Sequence, residues 1–129
     1  MLVKVFGDSD KKTLFNWLLK RDVNVSEAEL PGYGYMVSSI LTREPVACGF
    51  LREQGDLGFI EGMTTNPDAW SEERNEAMDT VTIHLLNYAK RQGIKRVIGY
   101  SLDENIVKRA VRHGFSIQPH VMFSIDLGE

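Results

Sequence analysis

One amphipathic helix of about six turns, expected from Ser71 to Gln92, decides which folds are open to this chain. Its apolar stripe runs through Ala77, Val81, Leu85 and Tyr88 or Ala89, so one face must be buried and the other wet. Asn66, Pro67 and Asp68 interrupt the chain before it, Ser71 is placed to cap it, and Gly93 ends it. Strand-like runs lie on both sides. Upstream, Tyr33 to Leu41, Pro45 to Glu53 and Leu57 to Thr64 are separated by a polar connection at Thr42 to Glu44 and by the turn dipeptide Gly55-Asp56. They read as an antiparallel meander. Downstream, Arg96 to Ser101 is a compact strand. A meander feeding a helical crossover into another strand gives a mixed α/β sheet.

The remaining segments fit around that frame. Met1 to Phe6 alternates as a short strand, and Lys11 to Lys20 puts Leu14, Phe15, Leu18 and Leu19 on one helical face, with Ser9 or Asp10 as N-cap. Ser26 to Leu30 offers a further helical turn, stopped by Pro31 and Gly32. Asp103 caps a second amphipathic helix whose buried face is Ile106, Val107, Ala110 and Val111, closed by Gly114. Phe115 to Leu127 is a final extended segment, interrupted near Pro119. The order is β-α-(α)-β-β-β-α-β-α-β. Its 129 residues amount to a single domain.

Composition narrows the function. With 43% hydrophobic and 26% charged residues the chain is expected to fold as a soluble protein in the cytoplasm, with no membrane partner. A net charge of −3 argues against nucleic acid as the main partner, although Lys90, Arg91, Lys95, Arg96, Lys108, Arg109 and Arg112 supply local positive charge at helix C-termini. The single cysteine, Cys48, excludes an internal disulfide and a cysteine-rich zinc site, and its apolar run PVACGF reads as a buried thiol. No pair among His84, His113 and His120 has metal-ligand spacing on one element, so no metal is expected.

The segment LLNYAKRQGIKRVIGYSLDENIVKRAVRHGF resembles the second half of a GNAT-superfamily N-acyltransferase. The shared features are a long helix ending in YAK-x-x-GIKRV, a strand, an Asn near the next helix start, and a helix closed by GF. The resemblance covers residues 33 to 127. It implies a GNAT-like mixed sheet whose fourth and fifth strands splay into a V-shaped gap, with acetyl-coenzyme A as the co-substrate held there. It also implies a bulge in the fourth strand and a glycine-rich turn that cradles the pyrophosphate at the start of the long helix.

This chain departs from that turn. One alignment puts Glu73, Glu76 and Met78 in its Arg and Gly positions, and the other puts Arg74, Ala77 and Asp79 there. Neither supplies a glycine, and Glu72, Glu73 and Glu76 crowd the place that should receive phosphates. With the second register, Arg74, Asn75 and Ala77 are the candidate cofactor contacts. Backbone N–H groups of Met63, Thr64 and Thr65 would face the thioester, and Asn105 matches the family's Asn beside the cofactor arm.

For catalysis, Glu61 is the candidate base. In FIEGM it is expected to share a strand face with Phe59 and Met63 and to be partly desolvated, and the resemblance points to the same strand. Gly62 beside it marks the bulge. The family's acid, a Tyr on the last helix, corresponds here to Ala110, so Tyr100 is the candidate substitute. Trp70 is either an anchor for a ligand or a hydrophobic staple of the long helix. Two functions follow from the resemblance. One is N-acetyl transfer from acetyl-coenzyme A to an amine that the sequence does not name. The other is an inactive module of the same fold that binds a protein partner, as in some tailed phages, within the particle or against host targets. Edge strands near Phe115 to Leu127 also leave room for a homodimer.

Overall fold

The computed structural model describes residues 1–26, 30 and 32–128. Five strands form one sheet in chain order: β1 (Leu2–Val5), β2 (Tyr33–Ser38), β3 (Pro45–Gln54), β4 (Leu57–Thr65) and β5 (Arg96–Ile98). Neighbours are antiparallel up to β4, and β5 joins β4 in parallel. That one parallel pair requires the crossover, which α2 (Ser71–Arg91) provides. The other helices are α1 (Lys11–Leu19) and α3 (Glu104–Arg112).

The sheet is covered on both faces, and the alternation of its strands sorts the core. Tyr35, Val37, Ala47 and Leu51 meet Ala77, Val81, Leu85 and Ala89 of α2. Met36, Cys48 and Phe50 point the other way, onto Leu14 and Trp17 of α1. α1 is therefore rotated from its expected face: Trp17 is buried and Leu19 is exposed. Asp10 stands at the cap position, but its carboxylate accepts from the Gly7 amide at 2.9 Å and pairs with Lys4 at 2.8 Å instead of capping α1. Burial, then the nearby Asp10 carboxylate, push the Cys48 thiol up to about 12, which suits a structural thiol and not a nucleophile. No helix among the described residues is long and apolar enough to cross a membrane.

Two expectations fail at the C-terminal end. α3 buries none of its residues, and Ile106 and Val111 remain half exposed. Phe115 to Leu127 forms no strand. The helical turn expected over Ser26 to Leu30 rests on Glu27 to Glu29, outside the described residues.

Candidate functional site

The site begins where β4 and β5 part. Their pairing runs from Leu57↔Arg96 to Phe59↔Ile98 and stops. β4 continues through Thr65 with no further partner on that side among the described residues. On its other side β4 carries a bulge. Cys48 pairs with Thr64 and Phe50 with Glu61, so Gly62 and Met63 of β4 together stand opposite Gly49 of β3. Gly62 absorbs the extra residue at φ 63°, where a Cβ would stand 2.8 Å from the Phe50 ring. No side chain fits there.

The bulge turns the following residues over. Glu61 keeps the face of Phe59, but Met63 packs against the α2 side of the core and does not share that face. The extra residue is the reason. Glu61 is about a third exposed (34%), and its Oε1 accepts from Arg52 Nε and Nη2, each at 2.9 Å. Arg52 itself lies over the Phe59 ring, 4.3 Å from the centroid. The carboxylate is thus oriented through one oxygen, and Oε2 has no partner among the described residues. It borders a cavity of about 270 Å³ lined by Leu14, Leu18, Val25 and Leu30 on one side and by Glu61, Gly62 and Thr64 on the other. Leu14 and Leu18 belong to α1, so the first helix walls the carboxylate. Arg21, just beyond α1, ties that wall to β4 by donating to the Thr65 carbonyl at 2.6 Å and to its hydroxyl at 3.0 Å.

The start of α2 lies beyond the far end of β4. Its N-cap is Trp70, not Ser71, and no side chain accepts from the first-turn amides. An indole cannot cap, so these N–H groups and the positive end of the helix dipole stay available to an anion. Trp70 is 80% exposed, which excludes the staple. Glu72 and Glu76 are exposed and Glu73 is half-buried. The Arg74 guanidinium reaches the Pro67 carbonyl at 3.4 Å. Asn75 accepts from Arg109 of α3 at 2.7 Å, and Ala77 is fully buried against the sheet.

Across the gap, Tyr100 lies two residues past β5 and is 64% exposed. The backbone amide of Asn105 donates to the Asp103 side chain at 2.8 Å, the expected cap of α3. Asp79 of α2 holds α3 in place, 2.9 Å from His113 and within ion-pair range of Arg109 and Arg112. His84 sits against Thr80 and Tyr35, where it supports packing. Among the described residues no group of His, Cys, Asp and Glu could hold a metal. The structure therefore brings Glu61, Gly62 and Thr64 together at one cavity, with Met63 turned away from it. It strings Arg74, Asn75 and Ala77 along the first two turns of α2, and leaves Tyr100 and Asn105 on the β5–α3 side.

No protein-family model and no curated protein matches this chain. Solved structures do. A variant of the Thermus thermophilus protein TTHA1254 superposes with a TM-score of 0.76 at 18% identity, covering 100% of this chain and 99% of that one. Glucosamine-6-phosphate N-acetyltransferase from Arabidopsis thaliana gives 0.69 at 17%, covering 99% and 100%. The Mycobacterium tuberculosis protein Rv2747, solved in complex with CoA, gives 0.72 at 17%, covering 94% and 76%. This chain has the GNAT fold.

Within the GNAT fold, the parted strands and the bulge at Gly62 are where the sequence placed them. Arg52 was not singled out from the sequence, and Arg109 was named there only among the basic residues at helix C-termini. Arg52 was within reach of it: a two-residue loop at Gly55-Asp56 fixes the hairpin register, which sets Arg52 opposite Phe59 and diagonal to Glu61. Arg109 carried a weaker signal, as the residue one turn after Asn105 on the same helix.

Proposed function

We propose that this chain transfers an acyl group from acetyl-coenzyme A to an amine bound in the cavity beside Glu61. The observation that carries the reading is the Glu61 carboxylate, fixed through Oε1 by Arg52 with Oε2 turned to no partner among the described residues, at the bulge where β4 leaves β5. Its residues fit the acyl carrier in two respects: the run of β4 from Ile60 to Thr65, which has no partner on its β5 side among the described residues, can line a thioester arm, and the uncapped start of α2 can meet phosphates. Acetyl-coenzyme A supplies the activated thioester acyl group.

The remaining work falls to this chain. Glu61 Oε2 takes a proton from the ammonium so that the neutral amine can attack the carbonyl carbon. A C–N bond forms, the C–S bond breaks, the Tyr100 hydroxyl donates a proton to the departing thiolate, and the second proton shed by the acylated nitrogen returns to the Tyr100 phenolate. The four aliphatic side chains opposite Glu61 favour an amine on a small apolar body, since the Arg52 guanidinium is already paired with Glu61 and no arginine lines the cavity among the described residues to receive an acidic one. Glu72, Glu73 and Glu76 oppose the phosphates, each like-charge contact at ~6 Å costing roughly 1–3 kcal/mol, so the carrier binds weakly. That weakness is the feature an inactive binding module would share.

The test is release of free thiol from acetyl-coenzyme A with isoamylamine, phenethylamine and phosphoethanolamine as acceptors. The expected result is amine-dependent release, greatest for the apolar amines and lowered in Glu61→Gln. Failure of every amine, in a folded protein supplied with millimolar acetyl-coenzyme A, overturns the reading in favour of the module.

A further inference from the structure

Only one face of α1 serves Glu61. Leu14 and Leu18 wall that cavity, while Thr13, Asn16, Trp17 and, at the C-cap, Lys20 follow one another at helical spacing along the adjoining face. This second face borders a separate cavity of about 450 Å³, closed on its far side by Asn66 and Asp68 of the loop between β4 and α2. The volume lies within the range of small-molecule sites. The two cavities share no lining residue.

Its polar groups differ in how well they are satisfied. Asn66 is fully used, since its Nδ2 donates to the Pro45 carbonyl and its Oδ1 accepts from the Asp68 amide. Lys20 and Asp68 form an ion pair across the cavity with both side chains exposed, a kind of pair worth little in water. The Thr13 hydroxyl, the Asn16 side-chain amide and the Trp17 indole N–H have no partner among the described residues. Trp17 is the telling one. It is 4% exposed, its ring packed with Leu14, Met36, Cys48 and Phe50. A buried indole ordinarily finds an acceptor for its N–H. Here the fold supplies none, yet the nitrogen is not sealed off as Arg109 Nε is. The ring belongs to the core and its N–H to the cavity that Trp17 lines.

We propose that this cavity binds a free α-amino acid with a small polar side chain, as its zwitterion. The charges decide the class. Lys20 and Trp17 can only donate and Asp68 can only accept, so together they call for an acceptor and a donor on one ligand. A ligand with a single charge gains at one wall and is repelled at the other. A neutral polyol leaves Lys20 and Asp68 to each other. A zwitterion replaces one exposed pair with two. Its carboxylate lies between Lys20 Nζ and Trp17 Nε1, three residues apart on one helix face, and its ammonium meets Asp68. Thr13 and Asn16, one turn back, then receive a hydroxyl or an amide of the side chain. The bound amino acid touches both α1, whose other face walls Glu61, and the loop that leads into α2.

The test uses the full chain without acyl carrier, so its outcome is independent of the chemistry at Glu61. It follows the indole N–H resonance of Trp17 in isotope-labelled protein, told apart from that of Trp70 by the variant Trp70→Phe. The probe is L-asparagine, titrated to about 20 mM. The expected result is a saturable shift at Trp17 and none at Trp70. L-Asparaginamide lacks the carboxylate and N-acetyl-L-asparagine lacks the ammonium, and each should bind at least about tenfold more weakly. The same loss is expected for L-asparagine with Lys20→Met, an exposed replacement that should leave the helical circular dichroism unchanged. A Trp17 resonance that does not move overturns the proposal. Undiminished binding of the two single-charge analogues, or by Lys20→Met, overturns the zwitterion. A shift with glucose and none with asparagine overturns it too, and gives the cavity to neutral polyols.

Discussion

At Glu61 the proposed chemistry depends on one oxygen atom being free. Arg52 occupies Oε1 and stacks on Phe59, so the guanidinium orients the carboxylate without consuming it. Glu61→Gln keeps the shape and loses the base, and should lower turnover by roughly 10²–10⁴-fold while acetyl-coenzyme A binding is unchanged. Arg52→Met keeps the base and loses its orientation, and should cost about tenfold. Steady-state rates of the two variants check the ranking; a larger loss for Arg52→Met would mean that the guanidinium and not the carboxylate is central. Cys48 makes a second residue-scale prediction. Its thiol, pushed up to about 12 by burial, should resist alkylation at pH 8 in the native protein and react at once in urea. Because the folded chain holds that proton above the thiol's ordinary value of 9.0, the contribution to stability is complete below pH 9 and lost as pH rises toward 12. Tyr33, raised to about 12 chiefly by its hydrogen bond with Tyr35, acts in the same direction. Urea midpoints measured from pH 8 to 11 should therefore fall.

Among the elements, β4 carries the candidate site because one glycine lets it change course. Gly62→Ala demands a left-handed residue with a Cβ pressed on Phe50, and should destabilise the fold by about 1–3 kcal/mol and disturb Glu61 with it. A urea midpoint equal to the wild type would show that the bulge tolerates a side chain. This bulge was legible in the sequence, as an isolated glycine inside a strand pattern. So were β3, β4 and α2, to within a residue, because long periodic segments bounded by Gly55-Asp56, Pro67 and Gly93 leave little choice. What the bulge does to Met63 was not legible, since strict alternation carried across it puts the residue on the wrong face. The cap of α2 was missed for a similar reason: Ser71 has the right chemistry, but it is already the first helical residue, and the cap position falls one residue earlier, on the extended Trp70. α3 and the segment from Phe115 to Leu127 show the limit of local reading. Both have the right pattern, and neither is buried as the pattern calls for.

For the whole molecule, the central claim is that the parted strands and the uncapped start of α2 form a site for an acyl-coenzyme A. The sequence without glycines at that turn, and with three carboxylates around it, sets the expected strength. A ligand present at about 100 times its dissociation constant adds roughly 2.7 kcal/mol of stability, on the order of 10 °C for a domain of this size. The most direct measurement is the thermal midpoint of the full chain titrated with acetyl-coenzyme A. The account predicts a saturable rise of a few degrees at millimolar ligand, unchanged in Glu61→Gln and steeper when Glu73 and Glu76 are replaced by glutamine. A folded protein whose midpoint does not move at millimolar acetyl-coenzyme A would contradict it.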